Sequence, residues 1–196
     1  MVIASPISLR DYEALAARDP SGQWELWDGT PREKPGMTFA HNDLGEELAF
    51  MIRAQLDRRQ FRVRSNKARV RWSDRNVFIP DVMVIPAADA VEMRDDAQAL
   101  ETCASPVPLV VEVWSRSTGD YDQEVKILTY KVRGDAEIWR IHPYQRMLQR
   151  WVRDAEGGYR ETVHTGGAVT PGALPGVTID LDVLFGALDD LAASDE

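Results

Sequence analysis

Apolar residues recur at helical spacing in three stretches of the chain. In residues 8–18, Ser8 is suited to cap a helix whose apolar positions repeat every three or four residues. Residues 41 to about 59 carry the clearest amphipathic stripe. Residues 120–133 repeat similarly and end before Gly134, a residue that commonly terminates helices. These stretches predict three helices.

Alternation of apolar and polar residues predicts strands elsewhere. Residues 23–30 alternate into Asp28-Gly29, a pair typical of a tight hairpin turn. Residues 61–64 and 67–72 alternate apolar with basic side chains, so we expect one positively charged face there. Further strands are predicted around 77–79, 82–85, 108–111, 136–142, 147–152 and 158–163. Residues 86–106 are predicted as a loop or short helix, and residues 177–188 as a short strand with a terminal helical turn before an acidic tail.

This order of elements predicts an α/β fold with a mixed sheet. The length of 196 residues suits one domain, residues 1–196, whose hydrophobic core is large enough to be stable without disulfides or structural metal ions. The one cysteine, Cys103, allows no internal disulfide, and no run approaches the roughly 20 apolar residues of a membrane span. The start of the chain lacks a basic leader, so we expect a soluble cytoplasmic protein without a membrane partner.

Charge is distributed unevenly along the chain. The net charge of −9 alone argues against a nucleic-acid partner. Residues 58–75, however, contain eight basic residues and one acid. This stretch is either a solvated strand face or a surface that binds phosphates. Its candidate DNA contacts are Arg62, Arg64, Lys67, Arg69 and Arg71.

Two carboxylates and a lysine interrupt or adjoin apolar runs. Asp81 follows Pro80 between two short strands, and Glu112 lies within Leu-Val-Val-Glu-Val-Trp, where a buried charge is costly unless it is paired or binds a metal. Oxygen-rich acidic sites hold Mg²⁺ or Mn²⁺. We expect Asp81 and Glu112 to ligate the metal with the backbone carbonyl of Val113, while Lys126 stabilises developing charge or orients the attacking water.

Each of these residues also has a structural interpretation. Asp81 can be an acid of a turn or strand edge, and Glu112 can pair with an arginine. Asp122 lies four residues before Lys126, which places both on one face of an α-helix near its N-terminus, where anions are favoured. That spacing equally describes an ordinary surface ion pair.

The chain resembles the Uma-two family, named as restriction endonucleases within the PD-(D/E)xK nuclease superfamily. The matching positions are 24–29, His41, 80–82, 110–115, 117–118, 122–126, Tyr130, 134–139, 142–143 and 174–185. The resemblance implies a restriction-endonuclease-like core, a mixed sheet flanked by helices with added N- and C-terminal hairpins. It also implies metal-dependent hydrolysis of phosphodiester bonds.

The resemblance also assigns individual residues. The superfamily lysine, two positions after the second acid, is replaced here by Trp114, and the family's lysine on the next helix matches Lys126. Glu25 matches a hairpin acid that is either an additional ligand or a structural hydrogen-bond partner. His41 and Asp122 are further auxiliary candidates, although His41 can simply cap or pack its helix.

These observations support two functional hypotheses. The first is a metal-dependent DNA endonuclease, expected as a homodimer because twofold symmetry suits cleavage of both strands. The second is a non-catalytic protein with a nuclease fold that binds DNA or another protein. The net charge of −9 and departures near the site, such as Arg116 where the family has proline, motivate the second.

Overall fold

The computed structural model describes residues 6–19, 21–94, 100–117 and 121–189, except the side chains of Glu92, Asp122 and Gln123. The helices are α1 (Leu9–Arg18), α2 (Phe39–Gln55), α3 (Ala87–Arg94), α4 (Leu128–Arg133), which directly continues a π-helical segment (Asp122–Ile127), and α5 (Leu181–Gly186). The strands are β1 (Trp24–Trp27), β2 (Thr30–Glu33), β3 (Phe61–Ser65), β4 (Arg69–Ser73), β5 (Asn76–Phe78), β6 (Val82–Pro86), β7 (Thr102–Cys103), β8 (Leu109–Val113), β9 (Glu137–His142), β10 (Met147–Arg153), β11 (Tyr159–His164), β12 (Ala168–Val169) and β13 (Ile179–Asp180).

A six-stranded mixed sheet forms the centre of the fold. Its strand order is β11-β10-β9-β8-β6-β3, with β8 and β9 parallel and the other neighbours antiparallel. A second sheet has the order β2-β1-β5-β4-β7, and β12 pairs with β13. The predicted α/β class with a mixed sheet and flanking helices is therefore confirmed.

The central sheet is buried on both faces, because alternate residues of its strands enter different cores. One core joins the sheet to α2 and α5 and includes Val84, Val111, Leu48, Ile52 and Leu184. The other joins it to the second sheet and α4 and includes Met83, Val110, Val70, Phe78 and Tyr130. The run Leu-Val-Val-Glu-Val of β8 is buried throughout. Glu112 is therefore fixed in the interior of the fold.

Most predicted elements are present, with local differences. Thr38 caps α2, whose first residue, Phe39, lies two residues before the predicted start at His41. The predicted loop or short helix of 86–106 contains α3 and β7. Gly134 ends α4 at a φ of 83°, as expected for a helix stop. Most of the predicted acidic tail lies outside the described residues. No helix within the described ranges has the length and apolar character to cross a bilayer.

The basic stretch is divided between the two sheets. β3 pairs with β6 in the central sheet, whereas β4 pairs with β5 and β7 in the second sheet. The basic residues of this stretch therefore lie on two sheets instead of one, because the chain changes sheets between Ser65 and Arg69.

Candidate active site

Asp81 lies immediately before β6 and is 1% exposed. Its Oδ1 is 2.6 Å from Lys34 Nζ, and its Oδ2 is 3.1 Å from His41 Nε2. The backbone N–H of Val113 donates to Oδ2 at 2.6 Å. Asp81 is thus tied to the β2 hairpin, to α2 and to the end of β8.

Asp81 is ionised at neutral pH. Burial opposes the charged form, but the Lys34 ammonium and the hydrogen bond from His41 outweigh it and hold the pKa of Asp81 well below its usual range. His41 occupies the first turn of α2, where its backbone N–H donates to the capping Thr38 hydroxyl. The sequence suggested capping or packing for His41, and the structure adds a contact with the Asp81 carboxylate.

Lys34, which the sequence did not single out, makes the shortest cationic contact with Asp81. Its ammonium also donates to Asn66 Oδ1 at 2.7 Å and to the carbonyl oxygen of Ile79 at 3.0 Å. The residue follows β2 in the polar stretch Glu33-Lys34-Pro35. That stretch has no apolar flank, so the sequence contains no local signal that Lys34 is buried.

Glu112, Lys126 and Glu25 form a second buried cluster. The Lys126 ammonium is 2.9 Å from Glu25 Oε1 and 3.4 Å from Glu112 Oε2. Tyr130 on α4 donates its hydroxyl to Glu112 Oε1 at 2.5 Å. The structure therefore brings Lys126 to Glu112 and places Glu25 beside both.

The two clusters adjoin one another. The Ile79 N–H donates to Glu25 Oε1 at 2.8 Å, and the Ile79 carbonyl accepts from Lys34. The antiparallel register of β6 and β8 pairs Val82 with Val111. Continuing this register by one residue places Asp81 opposite Glu112. The positive charge of Lys126 also favours ionisation of Asp81. The predicted residues Asp81, Glu112 and Lys126 therefore lie in one region.

A π-helical turn presents Lys126 to this region. The i,i+4 geometry expected for Asp122 and Lys126 assumed an α-helix, whereas residues Asp122–Ile127 form a wider π-helical segment. The side chain of Asp122 lies outside the described residues. Ile127 and Tyr130 enter the core beside this segment and anchor it.

A cavity of about 260 Å³ lies against the second cluster. Its walls include Glu25, Lys126, Lys34, Arg32 and Tyr121. The Arg32 guanidinium lies 4.3 Å from the centre of the Tyr121 ring, and Lys126 Nζ lies 5.9 Å from it. Three cationic side chains thus line the cavity together with two acids, the buried Glu25 and the exposed Glu33.

The predicted DNA contacts do not line this cavity. Arg62 and Arg64 line a different one, where Arg64 forms an ion pair with Glu101. Arg69 donates to the Tyr12 hydroxyl at 3.1 Å, and Arg71 is 3.7 Å from Asp74. Lys67 is exposed. A DNA-binding role for these five residues stays a prediction.

The donor atoms around Asp81 are compatible with a hard cation. Among the described residues, no three histidine, cysteine, aspartate or glutamate side chains are grouped to hold a metal. The Lys34 ammonium is nevertheless held by carboxylate, amide and carbonyl oxygens, the ligand types that Mg²⁺ and Mn²⁺ prefer. An oxygen-lined cation position therefore exists at Asp81. The Val113 N–H contacts Asp81, while ligation by the Val113 carbonyl stays a prediction.

Comparison with known proteins gives the family. The model of the Uma2 family, described as "Putative restriction endonuclease", matches residues 9–183. A solved structure from Anabaena variabilis ATCC 29413, described as "a putative nuclease belonging to DUF820", is similar with a TM-score of 0.74 and 17% identity, covering 93% of this chain and 99% of that chain. This likeness shows a shared fold. No curated protein matches the chain. Because the family model spans most of its length, the chain belongs to the Uma2 family.

Proposed function

We propose that this protein is an endonuclease that hydrolyses phosphodiester bonds in DNA with a bound Mg²⁺ or Mn²⁺ ion. The observation that carries the proposal is the buried group of Glu112, Lys126 and Glu25 beside Asp81. Buried charges are costly, and a fold retains them where they are paired or functional. The family match and the shared fold support the same activity.

In this proposal, Asp81 and Glu112 would hold the metal, with the Val113 carbonyl as a further ligand. A bound divalent ion lowers the pKa of a water molecule and neutralises charge on the phosphate. The Val113 N–H and His41 keep the Asp81 carboxylate in place. Tyr130 does the same for Glu112.

Lys126 would stabilise the charge that develops on the phosphate oxygens. Its side chain is 1% exposed and lines the cavity beside Glu25, and its ammonium also contacts Glu112. A fixed cation in such an environment stabilises a transition state strongly, because water does not screen it. Glu25 holds the ammonium on the side facing the second sheet.

DNA would approach through the cavity that Arg32 and Lys126 line. Neighbouring phosphates would then contact the basic strands around Lys67, outside the cavity. A homodimer would present one such centre to each strand of a duplex.

The non-catalytic alternative has one specific observation in its favour. Both oxygens of Asp81 already accept hydrogen bonds from protein groups: Lys34 on one side, and His41 with Val113 on the other. A carboxylate whose two oxygens both accept hydrogen bonds from the protein can have a purely structural role. Binding of DNA without cleavage under any divalent metal would support this alternative.

Cleavage of supercoiled plasmid DNA with Mg²⁺, Mn²⁺ or EDTA tests the proposal. We expect metal-dependent cleavage by the wild-type chain and a loss of about 100-fold or more in Lys126→Ala. Lys131→Ala is the matched control, because Lys131 lies on α4 and contacts Trp151 instead of the cavity. Cleavage that is unaffected by Lys126→Ala would rule out the proposed role.

A further inference from the structure

The Lys34 ammonium occupies the oxygen-lined position beside Asp81. It is bonded to Asp81 Oδ1 at 2.6 Å, Asn66 Oδ1 at 2.7 Å and the Ile79 carbonyl at 3.0 Å, and its side chain is 3% exposed. Three donors thus meet three acceptors, the full capacity of an ammonium group. Asn66 lies between β3 and β4, Ile79 follows β5, and Asp81 precedes β6, so three different parts of the chain fix the position of the ammonium.

A metal ion and this ammonium cannot share Asp81 Oδ1 in the observed arrangement. The carboxylate carries one negative charge, which Lys34 already balances. A divalent cation at the same oxygen would face an ammonium within ion-pair distance in a buried site, where like charges repel strongly. Metal binding at Asp81 Oδ1 therefore requires Lys34 to move.

Space for that movement lies on both sides of Lys34. The residue lines the cavity of about 260 Å³ that contains Arg32 and Lys126. It also lines a second cavity of about 360 Å³, together with Gln23 and Asn42. Lys34 follows β2 in a segment without regular structure, and its four-carbon side chain has several rotatable bonds through which the ammonium can reach either cavity once its hydrogen bonds are broken.

We propose that Lys34 is an internal competitor for the divalent cation at Asp81 and so sets the metal affinity of the site. The metal binds by displacing the ammonium, which turns into the cavity shared with Lys126 and adds a positive charge where a phosphate binds. This inference rests on the proposed function for the identity of the ligand, and its test measures metal binding without cleavage.

The measurement is Mn²⁺ binding to the full chain by titration calorimetry, with no DNA present. We expect Lys34→Met to bind Mn²⁺ at least about 10-fold more tightly than the wild-type chain, because methionine retains the length without the charge. Lys131→Met is the control and should bind as the wild-type chain does. The gain should disappear when Asp81→Asn is added to Lys34→Met, because the competition occurs at Asp81.

Equal or weaker Mn²⁺ binding by a folded Lys34→Met chain, checked by circular dichroism, would overturn the inference. A second measurement uses the wild-type chain and does not depend on the variant folding. Acetylation of Lys34, followed by mass spectrometry, should increase as Mn²⁺ is added, while acetylation of Lys131 stays constant. Lys34 labelling that is unchanged at saturating Mn²⁺ would also overturn it.

These outcomes are separate from the outcome for the nuclease proposal. Tighter Mn²⁺ binding in Lys34→Met without plasmid cleavage by the wild-type chain would uphold the competition and reject the nuclease. Metal-dependent cleavage with unchanged Mn²⁺ affinity in Lys34→Met would uphold the nuclease and reject the competition.

Discussion

At the scale of single residues, Glu112 depends on a phenol for its position. The Tyr130 hydroxyl donates to Glu112 Oε1, and both side chains are buried. Hydrogen bonds to charged groups contribute about 1.5–3 kcal/mol to stability. We expect Tyr130→Phe to lower the free energy of unfolding in urea by that amount and to reduce DNA cleavage as well.

Tyr159→Phe is the control for this prediction. The Tyr159 hydroxyl donates to the Asp135 carbonyl at 2.6 Å, away from Glu112 and Lys126. We expect Tyr159→Phe to lower stability without reducing cleavage by the folded protein. Equal cleavage by the wild-type and Tyr130→Phe chains would show that Glu112 does not need this phenol.

Asp81 makes stability depend on pH. Because Lys34 and His41 hold its folded pKa below the unfolded value, its contribution is complete above the ordinary carboxyl pKa of about 3.9 and is lost as pH falls toward the lowered pKa. Breaking a buried ion pair costs about 3–5 kcal/mol. We expect Asp81→Asn to destabilise the fold by this order at pH 7 and by clearly less at pH 3.

Urea unfolding at both pH values measures this difference. Asp74→Asn is the control, because Asp74 is an exposed acid near Arg71 and its replacement should change stability little at either pH. The same destabilisation by Asp81→Asn at pH 7 and pH 3 would contradict the ion-pair account of Asp81.

At the scale of elements, the β1–β2 hairpin brings both Glu25 and Lys34 to the site. Its turn places Asp28 and Gly29 at φ values of 48° and 78°, and a Cβ on Gly29 would lie 3.0 Å from Pro6 Cβ. A left-handed conformation costs a residue with a side chain about 1–2 kcal/mol. We expect Gly29→Ala to lower the free energy of unfolding by that amount and to reduce cleavage.

Gly36→Ala is the matched control, because it follows the same hairpin and a Cβ there would meet no atom within 4 Å. Urea unfolding and plasmid cleavage are measured for both variants. If Gly29→Ala behaves like Gly36→Ala in both measurements, the turn does not position the site.

The sequence predicted the positions of helices, strands and turns better than it predicted the contacts between distant residues. The signals that depend on neighbouring residues were correct: Ser8 caps α1, Asp28-Gly29 forms the turn between β1 and β2, and Gly134 ends α4. The π-helical segment has no such local signal, because periodicity alone does not distinguish it from an α-helix. Lys34 was missed because its burial depends on Asp81, 47 residues away.

At the scale of the whole molecule, the net charge of −9 would confine the proposed DNA binding to local positive surfaces. The basic stretch was predictable in composition, but its division between two sheets depends on long-range strand pairing. Contacts such as Arg64 with Glu101 also neutralise part of it, and they too connect distant parts of the chain. Alternation in the sequence identifies the strands without identifying their sheets.

Lys67 tests whether this surface binds DNA. It is exposed at the connection between the two sheets. Each phosphate contact contributes about one unit to the slope of log K against log salt concentration. We expect Lys67→Ala to reduce that slope by about 1, measured by fluorescence anisotropy with a DNA duplex. Arg160→Ala, at an exposed position on β11, is the control. An unchanged slope in Lys67→Ala would exclude Lys67 from the interface.

The most direct test of the account is Mn²⁺-dependent plasmid cleavage by Glu112→Gln. Glutamine keeps the size of the side chain and removes the charge proposed to bind the metal. We predict that wild-type protein cleaves with Mn²⁺ and stops with EDTA, and that folded Glu112→Gln is slower by about 100-fold or more. Cleavage by Glu112→Gln at the wild-type rate would contradict the assignment of this site as the nuclease centre.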